Sequence, residues 1–192
     1  MDNFKKLFKY YKSKKPPPDF SNVFNLHELQ IRAEESIYCK KHHPLPHELE
    51  SLRINLGVRK PSEWLIYTFE NHPGLIIISN AFTNDGAMSW IKKCLQQFSE
   101  SPYRTNLTNL GIDLEGKSWW SSIKGSLSRD EPTKLVSQLR WSTIGYHHNW
   151  DTKEYSEVDK SPVPNEVEFL CQLFLCGAGY PNSNFKAEAG IS

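Results

Sequence analysis

The chain has 192 residues, with 23 lysines and arginines against 22 aspartates and glutamates, so its formal net charge is +1. This length suits one domain, or one domain with an extension, and is too short for two full-sized cores. Hydrophobic residues make up 38 % of the chain, which is low for a soluble domain, but the 12 % of aromatic residues argues against wholesale disorder. No apolar run approaches the ~18 residues of a membrane-spanning helix, which excludes an integral membrane protein.

Residues 1–15 form a basic segment, with six lysines against one acid, Asp2. Apolar residues recur within it at helical spacing, at Phe4, Leu7, Phe8 and Tyr11. Three prolines from Pro16 onwards end this pattern. The pattern predicts a short helix whose apolar stripe docks on the body of the protein. The lysines leave a second interpretation open, in which the segment contacts phosphate groups or acts as a targeting signal.

Residues 19–60 are polar and interrupted by prolines, and they predict an irregular arm with one short helix near 26–36. Four potential metal ligands crowd together in this arm, namely Cys39, His42, His43 and His47. Structural zinc sites usually draw on two ligand pairs that lie ~12 or more residues apart, and no second pair follows here. The sequence therefore favours solvated loop side chains over a zinc site.

The body of the protein is predicted to begin near Lys60. Four consecutive apolar residues at 75–78, bounded by turn residues, predict a short buried strand. A helix is predicted over 87–99, after a cap within 84–86. Its expected inward face comprises Met88, Ile91, Leu95 and Phe98.

Residues 100–138 predict a looped region, and the β-prone segment 142–146 after it predicts a strand. Two prolines precede a helical pattern over 165–176, which Gly177 ends. The apolar stripe of that helix comprises Val167, Leu170, Cys171 and Phe174. Residues 184–191 alternate apolar and polar side chains and predict a final strand.

The sequence carries no catalytic constellation that can be recognised by its spacing. None of the seven histidines begins a His-x-Asp or His-x-Glu pair, the local half of an iron site with two histidines and one carboxylate. Phosphate-binding glycine loops and the HExxH and GxSxG motifs do not occur either. The four cysteines form no CxxC pair, so we expect reduced thiols without a disulfide partner.

The most informative segment is 139–151, which holds two tryptophans, a tyrosine, two histidines and an arginine. Flat side chains stack on nucleobases at ~1–3 kcal/mol per base, and arginine and asparagine contact base edges or phosphates. Composition leaves two interpretations open. Trp141 and Trp150 either belong to a base-binding surface or anchor the core.

This segment, Leu-Arg-Trp…Gly-Tyr-His…Asn-Trp-Asp, together with Phe-Lys-Ala-Glu-Ala-Gly-Ile at 185–191, resembles the AlkB dioxygenases. Further blocks match the same family in order, at 4–11, 64–67, 72–78 and 90–95. The resemblance covers residues 4–15 and about 61–192, whereas 19–60 do not match.

The resemblance implies an Fe(II)- and 2-oxoglutarate-dependent dioxygenase that removes N-methyl groups from bases of tRNA or DNA. It also implies an α+β fold, in which an N-terminal helical extension and a substrate-recognition region accompany the opening strands of a double-stranded β-helix, or jelly roll. Residues 1–60 would form the basic helix and arm, and 61–192 the N-terminal part of the dioxygenase domain. Nucleic acid is the implied partner, without a membrane, in the nucleus or mitochondrion of the cell.

Site residues follow from the same resemblance. The substrate-contacting turn comprises Tyr146, His147, His148 and Asn149, with His148 in place of the family's tyrosine. Either Trp119 or Trp120 matches a further substrate-side tryptophan, and we take Trp120 as the candidate. Apart from the resemblance, their positive charge predicts weaker contacts to nucleic acid from four basic residues, Lys5, Lys6, Lys9 and Arg140.

After the Ala-Gly-Ile strand the family continues with an Asn-x-Tyr for 2-oxoglutarate and with His-x-Asp and a distal histidine for iron. The sequence ends at Ser192, before these motifs. We therefore expect a truncated form with an incomplete core, which is catalytically inactive alone and binds neither Fe(II) nor 2-oxoglutarate. Two alternatives stay open: a nucleic-acid-binding module that uses the basic N-terminus and residues 141–151, or a product without a function.

Overall fold

The computed structural model describes residues 2–21, 23, 37–112, 114, 118–124, 134–149 and 151–191. In these ranges the chain forms seven α-helices, a short 3-10 helix at Pro61–Glu63 and six strands. The six strands form two small antiparallel sheets, without a closed barrel among the described residues. This mixed architecture is that of the predicted α+β class. Within the same ranges, no helix has both the length and the apolar character needed to cross a bilayer.

Helix α1 (Asn3–Lys12) has the extent that the apolar pattern predicts. The carboxylate of Asp2 caps it by accepting a hydrogen bond from the backbone N–H of Phe4, at 3.0 Å. The predicted docking of its stripe on the body is wrong, because every residue of α1 is exposed. The stripe instead has a local contact, since the ring of Tyr11 stacks on that of Phe20 with the centroids 5.7 Å apart.

The first sheet contains β1 (Ile37–Lys40), β2 (Leu65–Phe69) and β3 (Ile76–Ser79), with β2 in the centre. Residue Tyr67 of β2 pairs with Cys39 on one side and with Ile77 on the other. Strand β3 begins one residue later than predicted, and its residues are half-buried rather than buried, because it lies at the edge of the sheet. The core beneath this sheet consists of Leu56, Val58, Trp64, Ile66 and Leu173.

The predicted irregular arm contains two regular elements, β1 and α2 (His47–Asn55). Arg53 anchors α2 from a buried position, because its Nη1 donates to the carbonyl of Val58 at 2.6 Å while Nη2 pairs with Glu50 at the same distance. Strand β1 shows little pattern of its own and is held by its pairing with β2, so tertiary contacts decide its structure. The helix predicted near 26–36 lies outside the described residues.

Helix α3 (Asn84–Gln96) starts three residues before the predicted position. Thr83 is its N-cap, with its hydroxyl accepting from the N–H of Gly86 at 3.0 Å. The predicted inward face is partly wrong, because Met88 and Ile91 are exposed. Trp90 faces inward instead and donates its indole N–H to the carbonyl of Leu56 at 2.9 Å.

The loop predicted over 100–138 is partly wrong, because the described part of this range also contains regular elements. Strand β4 (Arg104–Thr105) is followed by three short helices, which are α4 (Asn106–Asn109), α5 (Trp119–Lys124) and α6 (Lys134–Gln138). Helices of four to six residues are too short to show the helical apolar period that identifies a longer one. Their side chains form a second core cluster, Leu107, Trp119 and Ile123.

The second sheet has β5 (Ser142–Gly145) between β4 and β6 (Ala189–Ile191). Thr143 pairs with Arg104 on one side and with Ile191 on the other. Strand β5 matches its prediction, whereas β6 covers only the last part of the predicted segment 184–191.

Helix α7 (Asn165–Gly177) confirms the prediction for 165–176. Its most buried face is rotated from the predicted stripe, since Leu173 and Cys176 are buried while Phe174 is only half-buried. Burial raises the pKa of the Cys176 thiol. An ion pair between Lys93 and Glu166 links α3 to α7.

Candidate nucleic-acid interface

The predicted substrate-contacting residues 146–149 directly follow strand β5, at its C-terminal end. All four of its residues are buried, and Gly145 at its end adopts a φ of +72°, which a glycine accepts without strain. The chain then leaves the sheet, and isolated bridges pair Tyr146 with Lys160 and Asn149 with Glu154. We call residues 146–149, at the start of this excursion, the aromatic turn.

The ring of Tyr146 is held by two charged residues further along the excursion. Its hydroxyl donates to Oε1 of Glu157 at 2.5 Å, and Nζ of Lys160 lies 2.8 Å from Oε2 of the same carboxylate. The ammonium of Lys160 also lies 5.0 Å from the centroid of the Tyr146 ring. The hydrogen bond to Glu157, followed by burial, raises the pKa of the Tyr146 hydroxyl. This side chain is therefore a neutral, oriented aromatic ring.

His147 points to the interior. Its side chain is 5 % exposed, and Nδ1 lies 2.7 Å from the hydroxyl oxygen of Thr143. Its backbone N–H donates to the carbonyl of Asp159 at 3.0 Å, and the Asp159 carboxylate receives two bonds from the Arg104 guanidinium, at 2.9 and 2.7 Å. Burial first, and the Arg104 charge second, lower the pKa of His147, while Asp159 opposes them. The imidazole is thus an inward, neutral support of the turn.

The other two residues of the aromatic turn lie nearer to solvent. His148 is half-buried, with its ring centroid 5.0 Å from that of Tyr155. Asn149 is exposed, and its Oδ1 accepts from the backbone N–H groups of Asp151 and Thr152, at 2.9 and 3.2 Å. These bonds form an Asx turn, so the side-chain oxygen of Asn149 stabilises the conformation of the loop.

The two candidate tryptophans have different environments. Trp119 is 4 % exposed, belongs to the second core cluster, and donates its indole N–H to the carbonyl of Leu135 at 3.1 Å. Trp120 is half-buried and packs against that cluster, with its ring 6.4 Å from the Trp119 ring. Trp119 is therefore a core residue, and Trp120 retains surface for a ligand.

The predicted basic contacts lie in two separate elements of the fold. Three of them, Lys5, Lys6 and Lys9, are exposed on α1. Arg140 is exposed just before β5, where its backbone N–H donates to Oδ1 of Asn106 at 2.7 Å. Asn106 is itself buried and so belongs to the framework of the site.

Sequence reasoning missed the residues that hold the aromatic turn in shape. Glu157 lies 11 positions from Tyr146, and Arg104 lies 55 positions from its partner Asp159. In each pair the partners lie in different segments that meet only in the folded chain, so no local pattern marks these pairs. A weak signal is the cluster of charged residues over 151–160, four acids and two lysines, that follows the turn.

The described residues do not fit an iron centre of the kind that the resemblance implies. Within the ranges that the structure describes, no group of three or more His, Cys, Asp and Glu side chains could hold a metal ion. His147, the most central histidine, already engages Thr143 through Nδ1. The described side chains therefore supply no ligand set for iron.

Comparisons with known proteins find relatives whose names refer to nucleic acid. Nucleic acid dioxygenase ALKBH1 of Mus musculus is 32 % identical over 200 residues, which is 99 % of this chain and 51 % of that protein. The Homo sapiens protein of the same name is 32 % identical over 202 residues, with the same two shares. This chain is a homologue of the ALKBH1 nucleic acid dioxygenases. The resemblance to AlkB dioxygenases predicted from the sequence is thereby confirmed.

A more distant relative is the tRNA demethylase abh1 of Schizosaccharomyces pombe, 28 % identical over 189 residues, or 89 % of this chain and 61 % of that protein. No protein-family model matches the chain. The chain spans about half the length of the ALKBH1 relatives, which is consistent with their N-terminal portion.

Proposed function

We propose that this chain is the substrate-recognition portion of an Fe(II)- and 2-oxoglutarate-dependent dioxygenase that demethylates bases in tRNA, with DNA as a further substrate. The match of 99 % of the chain to proteins named nucleic acid dioxygenase carries this proposal. The name of the fission-yeast relative, a tRNA demethylase, supports tRNA as the first nucleic acid to test. In the same proposal, β4, β5 and β6 are the opening strands of the double-stranded β-helix, and the enzyme acts in the nucleus or mitochondrion.

The aromatic turn is the part of the structure best suited to meet a base. Enzymes that react with a base ring take it out of the stack and hold it between flat side chains. Tyr146 and His148 offer such rings, and the Glu157–Lys160 pair fixes the first of them before a ligand arrives. His147 supports the turn from inside, and Trp120 is the further candidate on α5. If Tyr146 and His148 stack on the base, replacing either ring with alanine should weaken the affinity for nucleic acid.

We also propose that the chain alone does not catalyse demethylation. Its sequence has no His-x-Asp or His-x-Glu pair, and the described residues do not bring together three metal-ligating side chains. The test is formaldehyde release from N-methylated tRNA by the purified chain with added Fe(II), 2-oxoglutarate and ascorbate. We expect no more formaldehyde than with heat-denatured protein, and sustained release would disprove the inactivity.

Binding tests the recognition role independently of turnover. Fluorescence anisotropy with labelled tRNA, in methylated and unmethylated forms, measures affinity over a range of salt concentrations. We expect binding that weakens as salt rises, because lysines and arginines displace counterions from phosphates, and tighter binding of the methylated form. Absence of binding to tRNA and to methylated DNA would contradict the proposed function.

A further inference from the structure

Helix α1 presents a continuous apolar stripe to solvent. The exposed fractions are 70 % for Phe4, 54 % for Leu7, 54 % for Phe8 and 39 % for Tyr11. Phe20, itself 59 % exposed, stacks on Tyr11 and lengthens the stripe. Contiguous apolar surface of this kind on a folded protein usually marks a site of interaction.

The segment that returns along the helix is fixed rather than loosely attached. The backbone N–H of Asp19 donates to the hydroxyl of Tyr10 at 2.7 Å, and the Asp19 carboxylate accepts from Ser21. These bonds place Phe20 beside Tyr11. Helix α1 and residues 16–20 therefore form one unit that displays a single apolar face.

Lysines border this face on one flank. At about 100° per residue around a helix, Lys5 and Lys12 follow directly beside Phe8, and Lys9 lies further round. Nζ of Lys12 lies 5.5 Å from the centroid of the Phe8 ring, so its charge is held at the edge of the stripe. A lysine in this position can lay its apolar stem along the stripe and keep its ammonium in a polar layer.

We propose that α1 lies on the surface of an anionic lipid bilayer, with the Phe4–Tyr11 stripe in the boundary between headgroups and acyl chains. The flanking lysines then meet the anionic headgroups, the combination that surface-lying amphipathic helices use. A nucleic acid would engage the lysines and can stack bases on single rings, but it offers no apolar layer in which Leu7 is buried together with Phe4 and Phe8. Such a helix needs neither the length nor the uniform apolar character of a span, so the proposal replaces the expectation of no membrane partner.

Vesicle co-sedimentation of the full chain tests the apolar half of the proposal. The vesicles contain phosphatidylcholine and phosphatidylglycerol in a two-to-one ratio, with pure phosphatidylcholine as the neutral comparison. Leu7→Gln should weaken partitioning to the anionic vesicles about tenfold, because it removes one buried aliphatic side chain. The matched control is Leu110→Gln, since Leu110 is 61 % exposed outside α1. Glutamine preserves helix propensity, so unchanged circular dichroism verifies that α1 persists.

The charged half is tested with the double variant Lys5→Gln/Lys9→Gln, which should weaken binding to the anionic vesicles by about tenfold or more. Lys92→Gln, an exposed lysine on α3, is the control and should bind as the parent chain does. Failure of the parent chain to bind anionic vesicles, or equal binding by the Leu7 and Leu110 variants, would overturn the proposal. A Leu7 variant that loses affinity for tRNA but not for vesicles would assign the stripe to nucleic acid and would likewise overturn it.

Discussion

Adjacent residues of the aromatic turn have opposite environments. His147 is buried against Thr143 and beneath the Arg104–Asp159 pair, whereas His148 is half-buried and meets the ring of Tyr155. This alternation follows from the chain leaving β5, since successive side chains of an extended segment point to opposite sides. One histidine can therefore support the turn while its neighbour faces a ligand.

The environment of His147 makes folding depend on pH. Because its pKa is lowered from the ordinary 6.5 in the folded state, the unfolded chain binds more protons below that pH. The contribution of His147 to the free energy of unfolding is thus fully present above about pH 6.5. It is lost as the pH falls towards the lower pKa of the folded state. Thermal unfolding of His147→Asn between pH 8 and pH 5 should show a smaller loss of Tm than the parent chain. The exposed His72→Asn serves as control, and identical curves for parent and His147→Asn would contradict the assignment.

The two tryptophans of α5 should respond differently to truncation. Trp119→Ala should lower the free energy of unfolding by about 3–5 kcal/mol, because it empties a buried site and leaves the Leu135 carbonyl without its donor. Trp120→Ala should cost less than half as much, since that ring is half-buried. Urea denaturation measures both values. Equal losses would contradict the division into a core residue and a ligand-facing residue.

At the scale of elements, α3 is held against the end of α2 by a close approach of backbones. Gly57 adopts a φ of +68°, and a Cβ on Gly86 would overlap the Gly57 carbonyl. The hydroxyl of Thr83 donates to that same carbonyl at 3.1 Å. Local sequence signals do not reveal such an approach, because it depends on two glycines 29 positions apart.

Replacing Gly86 with alanine should therefore act against the usual trend. Alanine stabilises the interior of an exposed helix by about 1 kcal/mol relative to glycine. Here Gly86→Ala should instead lower the free energy of unfolding by about 1–3 kcal/mol, because the backbones must separate. Ser89→Ala, at an exposed position of the same helix, should leave stability unchanged or slightly raised. A rise in stability for Gly86→Ala would refute the close approach.

The predictability of each element follows its length and its local pattern. Helices α1, α3 and α7 and strand β3 carry apolar patterns, and β5 lies in a β-prone segment, so the sequence predicts these five elements to within a few residues. Strand β1 and the short helices α4 to α6 are stabilised by partners far away in the chain, which no local window contains. Even for α3 the predicted inward face is wrong in part, because the Gly86 approach and the Trp90–Leu56 bond decide its rotation.

The same limit applies to the candidate site. Residues 146–149 stand together in the sequence, and the family resemblance predicts them as a group. Their support, through Arg104, Asp159, Glu157 and Lys160, arises only when the sheet and the excursion are folded. The burial of His147 also follows from tertiary structure rather than from any property of the local sequence.

At the scale of the whole molecule, the described chain has two core clusters and two three-stranded sheets. The first sheet, with α3 and α7, forms the larger packed unit, and the second sheet ends in the aromatic turn. The low hydrophobic content of the sequence agrees with two small cores rather than one large one. The chain matches about half of each ALKBH1 relative. Binding of nucleic acid is therefore the proposed role that can be measured with this chain alone.

The affinity of the chain for methylated tRNA, measured by fluorescence anisotropy for four variants, tests this central claim most directly. Tyr146→Ala and His148→Ala should each weaken binding about tenfold, because each removes a ring that stacks on a base. Tyr146→Phe keeps that ring but loses the hydrogen bond to Glu157, so it should weaken binding less than Tyr146→Ala does. Tyr180→Ala, at an exposed tyrosine that contacts Lys40, is the matched control and should leave the affinity unchanged. Equal affinities for the Tyr146, His148 and Tyr180 alanine variants would contradict the account.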